Sequence, residues 1–307
     1  MEYSKTTAPR RPRYLPYLSR RFRLAMGLMA LELDEWIEPD EHFIAELAEK
    51  DLLFAKCHAA VVCALAGSEP AQQEVLGLLI EHMIRLHPHL LRSDGDTVRV
   101  VPSGASYRLE EWTAAPLDLA GRLAQEDFCL MAPGEAGYTL QAASLCFPSR
   151  WQLAEKMGRP MAAIHGPVPG FGDKLAHPVD RFFEYLHVDR PVWRVNWSVN
   201  DDPALFQPIR RRGPDAGTPI TPGNAGERLF TRCERQTLRR LPSTGWILFT
   251  IKTYVDPLSC LADQPEAAAG LAAAVRDLPA GNRGYKNVAS YEAAMLTYLD
   301  QLALAGE

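Results

Sequence analysis

The chain has 307 residues, of which 47% are hydrophobic and 23% charged, with a formal net charge of -5. That composition suits one large domain or two small ones, and the negative balance argues against broad binding to nucleic-acid phosphates. No apolar run reaches the length of a membrane span, and the N-terminus lacks the apolar core and small-residue cleavage site of a secretory signal.

Residues 1–25 are basic and proline-bearing and read as a surface-wrapping segment. They form most of a tail placed at 1–30, ahead of a single domain over 31–307. Arg10, Arg11, Arg13, Arg20, Arg21 and Arg23 crowd this tail, and Arg210 to Arg212 form a second basic run. Such runs are either solvated or a docking patch for an acidic partner. From Glu41 to His87 the spacing of Phe43, Ile44, Leu47, Leu52, Leu53 and Val61 predicts helix, with Asp40 as its N-cap. Gly67 to Ala71 interrupts it. A second helix follows, with Val75, Leu78, Leu79, Met83 and Leu86 on one face, and Pro88 ends it.

Val98 to Val101 reads as a short strand, and Tyr138 to Phe147 as a longer one. Arg150 to Met157 has room for one or two helical turns. Residues 164–173 read as a stiff loop around Pro167 and Pro169. Pro178 suits the first turn of a helix whose Val179, Phe182, Phe183 and Leu186 make an apolar stripe. Pro191 to Val199 alternates, Trp193, Val195, Trp197 and Val199 against Arg194, Asn196 and Ser198. Leu229 to Leu238 alternates too, and Trp246 to Tyr254 is β-branched and aromatic. The Ser243-Thr244-Gly245 turn predicts that these last two strands pair as a hairpin. From Pro265 onward the pattern returns to helix. The order predicts an α+β fold with an antiparallel sheet, rather than an alternating parallel one, and a pocket between sheet and helices.

The phosphate, dinucleotide, zinc-protease and serine-hydrolase motifs are absent. None of the six cysteines, Cys57, Cys63, Cys129, Cys146, Cys233 and Cys260, falls in a CxxC pair. Reduced, mostly buried thiols in a cytoplasm are the simplest reading. His165 sits on the proline-stiffened loop, where it either bonds locally or ligates a metal. His177, at the mouth of the following helix, is its rival. Arg194 and Asn196 share one strand face, which is either solvated or lines a cavity. In a cavity the guanidinium would donate to an anionic group in a fixed fork. Glu234 belongs either to a salt-bridged surface strand or to a pocket where it meets a cationic amine.

Together these residues carry a resemblance. Cys146 to Trp151, Ile164 to Gly170, Val179 to Phe183, Pro191 to Ser198, Glu234 to Pro242 and Phe249 to Tyr254 are similar, in order, to blocks of the haem-bearing subunit of the haem-dependent oxidative N-demethylases. The similarity covers about a third of the chain, within Phe147 to Leu258 and its edges. It implies a PAS-like domain, an antiparallel sheet with helices over one face that holds haem b through a histidine, flanked by N- and C-terminal helices. It implies oxidation of a small secondary amine such as dimethylamine with dioxygen. Electrons would come from a separate reductase carrying flavin and an iron–sulfur cluster. By the same resemblance His165 is the iron ligand, Arg194 (with Asn196) a donor toward the bound cofactor or its ligand, and Glu234 the carboxylate near the amine. A haem-based gas or redox sensor without turnover is the alternative, and a haem-free scaffold ranks after it.

Overall fold

The computed structural model describes residues 11–19, 26–209, 219–285 and 288–305. Arg10, Arg20, Arg21, Arg23 and the Arg210 to Arg212 run lie outside the described residues. In chain order the elements are β1 (Met29–Ala30), α1 (Phe43–Val61), β2 (Val62–Ala64), α2 (Glu69–Leu86), β3 (Leu91–Asp94), β4 (Thr97–Val100), β5 (Ser106–Arg108) and α3 (Pro116–Leu123). They continue with β6 (Asp127–Gly134), β7 (Gly137–Ser144), α4 (Met161–Ile164), α5 (Phe171–Lys174), α6 (Ala176–Tyr185) and β8 (Val192–Asn200). The remainder are α7 (Ala225–Arg228), β9 (Phe230–Arg240), β10 (Ile247–Pro257), α8 (Pro265–Arg276), α9 (Ala280–Tyr285) and α10 (Glu292–Leu304).

Seven strands form one antiparallel sheet in the order β1-β8-β9-β10-β6-β7-β2. The meander β8-β9-β10 abuts the hairpin β6-β7, and the chain crosses from one to the other through α4, α5 and α6. The predicted α+β class and the β9–β10 hairpin are therefore present, with Gly245 in the left-handed region (φ 72°) closing the turn. A second sheet, β3-β4-β5, stands apart on the N-terminal side.

The period of two in the strands gives the large sheet two distinct faces. Cys129, Met131, Leu238, Ile247, Phe249 and Ile251 face α4 to α6 and pack on Phe171, Val179 and Phe183. Phe128, Leu130, Ala142 and Leu248 face the other way, onto α2, α3 and Trp36. Farther along that second face, Trp197 and Val199 meet Tyr17 and the helices α8 and α10. The flanking helices thus cover the face opposite α4 to α6. Helix α3 crosses the sheet at a glycine for a steric reason: a Cβ on Gly121 would lie 2.1 Å from Ser144 Oγ.

Several local expectations need correction. Helix α1 starts at Phe43 with His42 at its cap. Asp40 lies two residues before that cap, and its carboxylate accepts the His42 N–H at 2.8 Å. The stretch 164–173 is not purely a loop. It holds the end of the one-turn helix α4 and most of α5, which begins where Gly170 takes φ 77°. The basic N-terminal segment does more than wrap the surface, because Tyr17 is fully buried and Tyr14 packs on Trp193 and Tyr254.

Candidate functional site

His165 follows the single turn of α4. Its backbone N–H and its ring Nδ1 both reach the Met161 carbonyl, at 3.0 and 3.1 Å. A carbonyl only accepts, so Nδ1 donates, and Nε2 keeps the lone pair of a neutral ring. Burial lowers the His165 pKa; the Met161 bond opposes this, and the Lys156 and Arg194 charges add to the lowering. The ring is therefore neutral at neutral pH. It stacks on Phe171 with centroids 4.6 Å apart and planes 16° from parallel. A hydrogen bond and a stacking partner together fix the ring's orientation, as an imidazole ligand requires. His177, the rival, is exposed in the first turn of α6 and lines a surface groove with Pro178, Arg181, Phe182 and Tyr185.

Strand register settles which face of β8 looks inward. Arg194 pairs across from Gln236 and Asn196 across from Glu234. Their neighbours on the same face, Val192 and Leu238, belong to the apolar cluster under α4 to α6. The polar face of β8 thus turns toward the helices that carry His165, while Trp193 and Trp197 turn to the opposite layer.

Arg194 is half-buried, and its Nε is shielded from solvent with no hydrogen-bond partner among the described residues. Burial lowers its pKa and the Glu234 charge opposes that shift. Glu234 Oε2 accepts hydrogen bonds from Asn196 Nδ2 at 3.3 Å and Gln236 Nε2 at 3.0 Å. Its Oε1 stands 4.0 Å from the Nε of Arg232. Arg232 is 1% exposed and donates to the carbonyls of Phe147, Ala204 and Leu205, which ties the turn after β7 to β9. On β10, across from Glu234, the Thr253 hydroxyl is also buried without a partner.

The structure therefore brings together His165, Arg194, Asn196 and Glu234 from α4, β8 and β9. Alternation sets Gln236 on the Glu234 face, and three further contributors escape the sequence reading. Arg232 shares the same face by the period of two and was findable from alternation. Phe171 and Thr253 gave no signal, because their part depends on which layers meet.

Chemically, the arrangement sets one oriented neutral imidazole on the helix side of the apolar cluster between sheet and helices. On the sheet side are an arginine with a spare buried N–H and a carboxylate with one lightly engaged oxygen. The donor set is compatible with a haem: His165 Nε2 would be the nitrogen available to the iron, its surroundings are apolar, and Arg194 Nε and Thr253 Oγ1 are buried polar atoms without a partner among the described residues. This defines an α+β protein with an oriented histidine and a buried polar cluster meeting between its layers. The family model described as haem-dependent oxidative N-demethylase, alpha subunit-like, matches residues 27–296, and the chain belongs to that family. The match runs from β1 into α10 and so reaches well beyond the blocks between 146 and 258.

Among the described residues, no helix is long and apolar enough to cross a membrane. Cys57, Cys63, Cys129 and Cys146 are free thiols, and Cys129, Cys146, Cys233 and Cys260 are buried.

Proposed function

We propose that this chain is the haem-bearing subunit of an oxidative N-demethylase acting on a small secondary amine of the dimethylamine type. Dioxygen is the oxidant, and electrons arrive from a separate reductase carrying flavin and an iron–sulfur cluster. The antiparallel sheet with helices over the site face supports the PAS-like reading, with residues 31–307 as one haem-binding domain behind a tail at 1–30. The free thiols of Cys57, Cys63, Cys129 and Cys146 support a cytoplasmic setting.

The observation that carries the proposal is the His165 arrangement: Nδ1 committed to Met161, the ring held by Phe171, and Nε2 free. His165 would hold the iron of haem b through Nε2. Haem bound there would supply the activation of dioxygen and the oxidation of the amine. Arg194 offers its buried Nε–H to negative charge on the sheet side of the slot, either a propionate or charge that develops during oxidation. Glu234 binds the protonated amine. Asn196 and Gln236 occupy its Oε2, which leaves Oε1 to accept from the substrate N–H. The apolar walls receive the methyl groups and exclude water.

Oxygen uptake and formaldehyde release, measured with dimethylamine and an artificial reductant, test this reading. Glu234→Gln keeps the shape and removes the charge. It is expected to raise KM by roughly 10- to 100-fold, the value of a hydrogen bond to a charged group. Ligand binding to the haem protein without amine-dependent oxygen uptake would overturn the enzyme reading and favour the sensor.

A further inference from the structure

Strand β9 places Arg235 and Arg239 four residues apart on the face turned to the N-terminal helical layer, both against Trp36. Arg235 is satisfied. It pairs with Glu38 at 2.9 Å and donates to the carbonyls of Glu35 and Trp36. Arg239 is nearly as buried, at 7% exposure against 3%, yet its Nε has no partner among the described residues. Glu74, the carboxylate whose charge it feels, has both oxygens engaged by Ser243 and Thr244. A buried Nε–H without an acceptor is costly, and folded proteins rarely leave one so.

Three more buried polar atoms lack partners in the same shell of touching side chains: Trp36 Nε1, His82 Nε2 and His87 Nε2. The Arg239 guanidinium carbon lies 4.5 Å from the Trp36 ring centroid. The Trp36 and His82 centroids are 5.3 Å apart, and those of His82 and His87 are 6.0 Å apart. Trp36, His82 and Arg239 are each more than nine-tenths buried.

We propose that Arg239, Trp36, His82 and His87 form a binding site for a small oxyanion that carries an O–H, of the bicarbonate or hydrogen phosphate class. The polarity of each atom selects this class. Arg239 Nε–H and Trp36 Nε1–H can only donate, so the ligand must accept at two places. His87 is hydrogen-bonded to the Ile37 backbone. With Nε2 unpartnered, that bond runs through Nδ1 to the carbonyl, so Nε2 carries a lone pair and the ligand must also donate. His82 serves in either sense by choice of tautomer. Burial pushes its pKa down to about 4, so it adds no positive charge. Chloride and simple carboxylates satisfy the donors but leave His87 unmet. Water satisfies both senses but brings no negative charge to the Arg239 guanidinium, whose carboxylate Glu74 is engaged elsewhere. The site lies across β9 from Glu234 and shares no residue with the candidate haem slot.

Titration calorimetry on the full chain, at pH 8 and constant ionic strength, tests the proposal with bicarbonate, hydrogen phosphate and chloride as separate ligands. The expected result is saturable binding of bicarbonate or hydrogen phosphate, with chloride roughly tenfold or more weaker, the value of one lost hydrogen bond. Whichever oxyanion binds tighter identifies the occupant. Arg239→Gln is expected to weaken binding by roughly tenfold or more. Trp36→Phe, which keeps a ring and removes one N–H, should do the same to a smaller degree if Arg239→Gln fails to fold. No saturable oxyanion binding by the wild type, equal binding of chloride, or binding unchanged in a folded variant would each overturn the proposal.

Discussion

The two faces of the seven-stranded sheet bury charge in opposite ways. On the face toward the N-terminal helices, Lys252 meets Asp40 at 3.2 Å and Glu46 at 3.5 Å, and Arg235 meets Glu38. On the face under α4 to α6, Arg194 feels the Glu234 charge, but among the described residues it makes no ion pair and its buried Nε–H has no partner. Lys252 and Arg235 are buried and Arg194 is half-buried, so all three lose solvent and desolvation alone does not separate the faces. Pairing does. A buried cation with its carboxylates in place belongs to the architecture, whereas one without them marks a place where a ligand completes the structure. By that criterion Arg239 is the exception on its face, which is what singles it out.

The contrast can be broken by mutation. The largest effect is expected from Lys252→Met. It strands the Asp40 and Glu46 carboxylates in the interior and should cost about 3–5 kcal/mol of stability in urea unfolding. A loss below 1 kcal/mol would show that this face does not depend on its ion pairs. Acid comes next. The folded pKa of His82, about 4, lies below its ordinary value of 6.5. Its contribution is therefore intact above pH 6.5 and is lost as pH falls toward 4, because only the unfolded chain takes up the proton. Wild type should lose at most about 3 kcal/mol from this residue across that window, and His82→Gln should show a correspondingly shallower acid limb. Parallel limbs would contradict the buried, neutral ring.

Gly121→Ala tests how tightly the second face is packed. With Ser144 Oγ in its way, an added methyl should cost about 1–3 kcal/mol. The smallest effect is expected from Arg194→Leu in haem-free protein. Removing a cation that nothing pairs should change stability by less than about 1 kcal/mol, or raise it. A loss as large as that of Lys252→Met would erase the distinction between the faces.

Much of this arrangement was legible in the residues, and the rest was hidden for identifiable reasons. Strands β8 and β9 alternate because each face meets a different environment, and α6 shows its stripe because only one side is buried. Strand β6 lies between β10 and β7 with both faces covered. Its Phe128 to Ala132 run is therefore continuously apolar and carries no period to read. Strands β3 and β5 are short and mostly exposed, and α4 and α5 are single turns, too short for any period. For the site, alternation put Arg194 with Asn196 and Glu234 with Gln236, but left open whether that face was solvated. Only the packing of α4 to α6 over Val192 and Leu238 answers this, and it depends on contacts far apart in the chain. His165 and His177 were likewise inseparable until one turned toward the sheet and the other outward.

The visible absorption of protein reconstituted with haemin, compared among wild type, His165→Ala and His177→Ala, is the most direct test of the His165 assignment. A Soret band of the same position and intensity is expected for wild type and His177→Ala, and it should be lost or displaced in His165→Ala. An unchanged band in His165→Ala, with its loss in His177→Ala, would contradict the assignment and move the iron to the outer groove.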